Sequence, residues 1–458
     1  MTIFLGESMS KNTILKGTFI LTVTGLLSRL IGFFFRSFLS HSFGEEQMGL
    51  YQLIFPIFAL CFSLSTAGIE TALSRGVAQK ISLGKKKEAD CLLYQALFTS
   101  LLLSGVLILL VRKYATSLSI YVLGDLRCEE LLQVLVLALP FASIHNCICG
   151  YYLGQKKTKI PAISQLVEQL MRIGLVFVVY QIMQYHHSSS SIRIAVLGLV
   201  VEEVISELYC VRCFSSSTHL NPTLSVLYHN RHLSKDLFKL AVPLTSTRIL
   251  TNLLQSIESI SIPLCLQKYG YTNSEALSTY GVLTGMALPC IMFPTALTSS
   301  VSTMLLPTVA QIQAKENLSQ LKQLIRRVIL FGLILGATCG IVFLLFGSLV
   351  GKILFGSLLA GDFIRTLAWI CPFLYMNTTL LGILNGLGKA NQSFLNNICG
   401  LAIRISGVWI GIGAFGMNGY LRGLLVSQLL VCSLSILQLS LYIKKRERCD
   451  TLPKESLL

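Results

Sequence analysis

Residues Lys16 to Ser40 read KGTFILTVTGLLSRLIGFFFRSFLS. The run is apolar and long enough to cross a bilayer, which takes about 20 residues of helix, yet it carries Arg29 and Arg36. These lie seven residues apart and so share one face of a helix. Thr18, Thr22, Gly25 and Gly32 fall on the same stripe, while Phe, Leu and Ile fill the rest. A guanidinium turned toward lipid at mid-depth costs about 2.5–3.5 kcal/mol on insertion scales. The pattern therefore predicts a helix with one wet or protein-facing side. Two fixed positive charges on that side predict a cavity that receives an anion.

Composition sets the class. Of 458 residues, 53% are hydrophobic and 13% charged, with a mean hydropathy of +0.69. A soluble domain averages about 25% charged residues, so this is an all-α membrane protein with many spans. The net charge of +16 would suggest nucleic acid in a soluble chain. Here the bases sit in short loops, where positive charge fixes topology, and no basic domain stands apart, so no nucleic-acid partner is expected. The 14 cysteines are scattered, with Cys147/Cys149 and Cys210/Cys213 the only close pairs. A zinc site needs a second ligand pair at suitable spacing and none is evident. They read as small apolar core residues, and no metal or cofactor is expected.

Twelve spans are predicted, near 16–40, 49–69, 91–111, 131–153, 161–185, 192–213, 237–266, 278–305, 325–347, 363–387, 395–415 and 418–443. The first is too long for the apolar core of a signal peptide and is expected to be retained. Several spans begin at or contain proline, among them Pro56, Pro140, Pro294 and Pro372, which often marks a broken helix. Loops alternate in charge: Lys85–Lys87, Lys156–Lys159, Arg231–Lys239, Lys315–Arg327 and the KKRER tail on one side, nearly bare loops on the other. Only the loop with Arg112, Lys113 and Arg127 breaks the trend. The positive-inside rule then puts both termini in the cytoplasm.

The halves look alike. A shift of 232 positions brings Val77-Ala78-Gln79 onto Val309-Ala310-Gln311, Pro140-Phe141 onto Pro372-Phe373, Gly154 onto Gly386 and Arg172-Ile173 onto Arg404-Ile405. Six spans per half make the repeat parallel, about an axis along the membrane normal. The expected plan is an N-terminal lobe over 1–213, a cytoplasmic linker over 214–236, a C-terminal lobe over 237–443 and a basic cytoplasmic tail over 444–458. Binding sites in such repeats lie between the lobes.

The seventh span begins the second lobe and is expected to face the first. It carries Arg248, Asn252, Gln255 and Glu258 at helical spacing, with Thr245 and Ser259. Arginine suits phosphate because its planar fork meets oxyanions two bonds at a time. The candidate substrate-binding set is therefore Arg29, Arg36, Arg248, Asn252, Gln255 and Glu258. A second set serves ion coupling or structural pairing: Glu168 and Arg172, one turn apart, with Glu203 and with Arg404, the repeat partner of Arg172. His145 reads as a hydrogen-bonded histidine. No phosphate-binding Gly-rich loop and no catalytic outer domain is present, so the chain is expected not to be an enzyme.

Three stretches, KGTFILTVTGLLSRLIGFFFR, GEEQMGLYQLIFPIFAL and STAGIETALSRGVAQ, resemble the opening of the polysaccharide-transporter branch of the MOP (multidrug/oligosaccharidyl-lipid/polysaccharide) exporter superfamily. The Ser28-Arg29-x-x-Gly32-Phe33 element is similar to the first helix of the lipid II flippases of that superfamily. There the arginine at the position of Arg29 lines a central cavity and meets the lipid diphosphate. Arg36 is one residue out of register with the next flippase arginine. The charges of the flippases' second helix have no match between Leu50 and Gly68, and their helices beyond twelve are missing. The resemblance implies a MATE-like fold of two lobes around a central cavity. It implies a flippase for a lipid-linked saccharide with an anionic diphosphate head group, such as a peptidoglycan precursor for the cell wall or spore cortex of a spore-forming bacterium. Membrane lipids, a coupling ion or the membrane potential, and action as a monomer complete the expectation. The rivals are a MATE-type drug/cation antiporter, which needs cavity acids, and a membrane enzyme acting on lipid-linked sugars, which needs a sizeable outer loop. A scaffolding protein of spore assembly is the third.

Overall fold

The computed structural model describes residues 2–187, 191–217, 231–314 and 316–451. They are helical almost throughout, with no strand among them. Helix α1 (Thr2–Leu53) breaks at Gly44, where φ is +78°; glycine enters that region without steric cost. The break separates the first predicted span from the second, which continues through α2 (Phe55–Phe62), a π-helical stretch (Ser63–Ala67) and α3 (Gly68–Ser82). Pro56 lacks an N–H for the turn before it, so the helix is interrupted at Ile54. Then follow α4 (Lys86–Lys113), α5 (Cys128–Gly154), α6 (Lys159–Tyr185), α7 (Arg193–Ser217) and α8 (Arg231–Tyr269). The chain ends with α9 (Asn273–Met292), α10 (Thr295–Ala314), α11 (Leu318–Phe355), α12 (Leu358–Gly386), α13 (Ala390–Phe415) and α14 (Met417–Thr451).

Each of the twelve predicted spans lies on helix. By length and apolarity, nine helices among the described residues can cross a membrane, ten if α9 and α10, bent by 54°, count as one. Two features lower the number. Ile20–Ser82 passes as a single stretch although Gly44 divides it. Helix α7 fails the apolarity test because Glu202, Glu203 and Glu207 interrupt it.

The chain divides into two compact units, Met1–Ile260 and Ser261–Leu458. In the first, α1 packs on α6; α5 packs on α3, α4 and α7; and α6 packs on α7. In the second, α12 packs on α10, α11 and α14, and α13 packs on α14. Apart from the α1–α6 contact, the two pairing schemes are the same, as expected of a parallel repeat. The closest approaches repeat too. A Cβ at Gly154 of α5 would stand 2.6 Å from the Ser74 carbonyl and 2.9 Å from Val77 Cβ. At Gly386 of α12 it would stand 3.0 Å from the Leu306 carbonyl and 2.9 Å from Val309 Cβ. Each glycine and each partner is 232 residues from its counterpart. Without a hydrophobic drive between helices in lipid, such small-residue contacts set the packing.

The unit boundary falls inside α8, whose residues up to Ile260 group with the first unit. Of the predicted linker 214–236, residues 218–230 lie outside the described residues. Arg127, whose loop breaks the charge alternation, is locally compensated. It pairs with Asp125 and with Glu46, each at 2.8 Å, and its hydrogen bonds to Asp125 hold the guanidinium above its ordinary pKa.

Candidate functional site

Two polar seams run through the first unit. In the outer one, α8 lies along the second span. A Cβ at Gly68 would fall 1.7 Å from Thr245 Oγ1 and 2.9 Å from Thr245 Cα, so the backbones nearly touch there. One turn on, Arg248 Nη2 donates to Thr71 Oγ1 at 3.1 Å. Asn252 Nδ2 donates to Ser63 Oγ and, at 3.4 Å, to the Ala59 carbonyl. Ser256 Oγ donates to the Pro56 carbonyl at 3.1 Å. Thr245, Arg248, Asn252 and Ser256 recur every three or four residues and form one helical stripe. Between the helices opens a cleft of about 300 Å³ lined by Phe62, Ser63, Ala67, Thr247, Arg248, Thr251 and Asn252. The π-helical stretch supplies its small wall, and Arg248, an exposed residue, supplies its charge. Glu70 lies within the field of Arg248.

The inner seam joins α1, α5, α6 and α7. Arg172 Nη1 donates to Glu202 Oε1 at 3.2 Å, and Nη2 donates to Gln169 Oε1 at 2.5 Å. The guanidinium also lies over the ring of Phe35, 5.3 Å from its centroid. His145 Nδ1 pairs with Glu203 Oε2 at 3.3 Å, and Ser164 Oγ stands 2.6 Å from His145 Nε2. The Cys210 thiol donates to Ser164 Oγ at 3.4 Å, and the sulfurs of Cys149 and Cys210 are 3.9 Å apart. His145, Cys149 and Cys210 offer three metal-ligating atoms within 4.8 Å of one another.

The structure divides the residues picked from sequence. Arg248 and Asn252 belong to the cleft. Arg36 is half-buried, and its charge interacts with Tyr51 and Arg172 of the inner seam. Arg29 and Gln255 are exposed, and Glu258 is buried. The stripe of α8 meets the second span, where the sequence reading set it opposite the first. The small residues Ser63, Ala67 and Gly68 allow that approach. The expected Glu168–Arg172 pair is replaced: Arg172 reaches across to Glu202 on α7, and Glu168 acts on it only through the shared field. Glu203 pairs with His145, and Arg404 is half-buried on α13. Sequence reasoning left Ser63, Thr71 and Phe35 out of the site. The run of hydroxyls at Ser63, Ser65 and Thr66 inside an apolar span was the available signal for the first of these.

A family model described as polysaccharide biosynthesis protein matches residues 14–313, and one described as MatE matches residues 248–410. The chain is 26% identical over 405 residues to stage V sporulation protein B of Bacillus subtilis (strain 168), covering 88% of this chain and 78% of that protein. It is 22% identical over 417 residues to the lipid II flippase MurJ of the same organism, covering 86% and 76%. An inward-facing multidrug resistance MATE family transporter of the MOP superfamily superposes with a TM-score of 0.74 at 15% identity, over 95% of this chain and 98% of that one. The architecture is thus that of the MATE/MOP fold.

Proposed function

The chain belongs to the polysaccharide biosynthesis protein family, and from that premise we propose that it moves a lipid-linked saccharide across the plasma membrane by alternating access. It is a multi-pass membrane transporter of the flippase kind and not an enzyme. The cargo in this reading carries an anionic diphosphate head group, and a peptidoglycan precursor for cell-wall or spore-cortex synthesis fits best. The supporting observation is the cleft at Arg248. A guanidinium has five N–H donors in a fixed fork, and Thr71 takes one. The seam is already closed by neutral contacts at Thr245, Asn252 and Ser256, and the acid within the field of Arg248, Glu70, lies outside the cleft lining. Hydroxyls and an amide beside a fork donor suit a phosphorylated sugar. A drug/cation antiporter would need acids at the cleft wall, and its lining residues include none.

In this proposal both termini are cytoplasmic, and the lobes over 1–213 and 237–443 rock to expose the cargo site alternately on the two sides. A coupling ion or the membrane potential drives the cycle, the latter giving about 2.3 kcal/mol per charge per 100 mV. The test is translocation of a fluorescent polyprenyl-diphosphate saccharide in proteoliposomes. Losing a charged hydrogen bond of about 1.5–3 kcal/mol predicts roughly 10–100-fold slower transport for Arg248→Ala at limiting cargo, with Arg248→Lys in between. An unchanged rate removes Arg248 from cargo recognition.

A further inference from the structure

We propose that His145, Cys149 and Cys210 form a binding site for a thiophilic divalent cation, zinc, inside the first unit. His145 and Cys149 lie four residues apart and share one face of α5, while Cys210 comes from α7. All three are buried. Two Zn–S bonds of about 2.3 Å at a tetrahedral angle put sulfurs about 3.8 Å apart; the two thiols stand at 3.9 Å.

The surrounding bonds orient the ligands. His145 Nδ1 faces the Glu203 carboxylate at 3.3 Å. A ring N–H donated to a carboxylate is the usual outer support of a metal-bound histidine, because it fixes the tautomer and leaves the other nitrogen's lone pair for the ion. That other nitrogen, Nε2, points to Ser164 Oγ, which also accepts from Cys210 Sγ. Ser164 Oγ is thus the neighbour shared by Nε2 and Cys210 Sγ, and it has to turn aside for an ion to bond Nε2. Binding releases one proton from each thiol. The product, two thiolates and a neutral imidazole around a divalent ion, sums to zero charge. That neutrality removes the Coulombic objection to a metal in a low-dielectric bundle.

The repeat gives a second, independent observation. Moving 232 residues along, His145, Ser164 and Glu203 become Asn377, Asn396 and Ser435, and Cys149 and Cys210 become Leu381 and Tyr442. In the second unit these positions serve a neutral network. Asn396 Nδ2 donates to Ser435 Oγ at 3.2 Å and to Gln438 Oε1 at 3.0 Å, and Asn377 Nδ2 donates to Gln428. The polar counterparts there are amides and a hydroxyl with no charged member, and Asn377 Oδ1 has no hydrogen-bond partner among the described residues. Imidazole, carboxylate and two thiols in the first unit go beyond what the fold requires, and together they are a soft-metal donor set.

The experiment uses full-length protein purified anaerobically with reductant in detergent. After zinc loading and desalting, elemental analysis is expected to give one zinc per chain. Cobalt loading is expected to give thiolate-to-metal charge-transfer absorption. Zinc is expected to protect Cys149 and Cys210 from alkylation and to leave Cys213 and Cys399 reactive, a readout that needs no variant. Cys149→Ser and Cys210→Ser are expected to lose the zinc, Cys399→Ser to keep it, and Glu203→Gln to bind about 10–100-fold more weakly. Metal-free native protein overturns the assignment, as does zinc retained by the Cys149→Ser/Cys210→Ser double variant, or a Cys149–Cys210 disulfide found in place of metal.

Discussion

Replacing Arg172 by methionine removes one end of a buried ion pair and leaves the other. The Arg172 side chain is 15% exposed and that of Glu202 3%. Deleting one member of such a pair costs about 3–5 kcal/mol, because the remaining charge stays desolvated. Two features put this case near the lower figure. The contact is single, not bidentate, and neither Arg172 Nε nor Glu202 Oε2 has a hydrogen-bond partner among the described residues. Loss of the stacking on Phe35 adds about 0.5–2 kcal/mol. Arg172→Met is therefore expected to lose about 4 kcal/mol. Glu202→Gln should lose less, since the guanidinium keeps Gln169 and Phe35. The double variant Arg172→Met/Glu202→Leu removes both charges and replaces their volume, and such exchanges are often neutral. It is expected to recover to within about 1 kcal/mol of the native chain. Reversible unfolding in mixed micelles of rising SDS fraction measures all four proteins. Native-like unfolding of Arg172→Met, or a double variant no more stable than that single one, refutes the reasoning.

Two further outcomes test the packing. At Gly154→Ala the new methyl meets the Ser74 carbonyl at 2.6 Å, where ordinary contact begins at 3.4 Å. The helices must part by most of that difference, at about 1–3 kcal/mol. Gly386→Ala, with its nearest atom at 2.9 Å, should lose less, and Gly105→Ala, with nothing within 4 Å, should gain about 0.5–1 kcal/mol. Thermal midpoints by intrinsic fluorescence check the order, and a neutral Gly154→Ala contradicts it. Arg127→Gln strips three side-chain hydrogen bonds from Asp125, whose side chain is 4% exposed. It should cost about 1–3 kcal/mol, with Asp125→Asn/Arg127→Gln milder than Arg127→Gln in the same assay.

The helical, two-part architecture was legible because it rests on features that repeat along the chain. Apolar runs of span length give helices in lipid, since only a helix satisfies its own backbone there. The offset of 232 was legible because it falls on residues with no latitude, such as Gly154 and Gly386, where a side chain would meet backbone. The broken course of the second span was half legible. Pro56 announces the interruption at Ile54, but the π-helical stretch behind the cleft leaves no mark beyond its small and hydroxylated residues.

The pairings across helices were not legible, and the reason is geometric. A rule of spacing looks for partners one turn away, and it joined Arg172 to Glu168. Residues four apart on one helix project side by side, so a long side chain can as easily turn outward to the neighbouring helix, and Arg172 does so to reach Glu202. The same blindness hid the thiols. Cys147/Cys149 and Cys210/Cys213 look like two unrelated close pairs, and Cys147 and Cys149, two residues apart on a helix, point away from each other. Cys147 turns to Ser100, and Cys149 meets Cys210 across the α5–α7 contact, 61 residues on. A search for His-x-x-x-Cys, the i, i+4 pattern of one helical face, marks His145 and Cys149 directly. The third ligand then has to come from whichever helix covers that face.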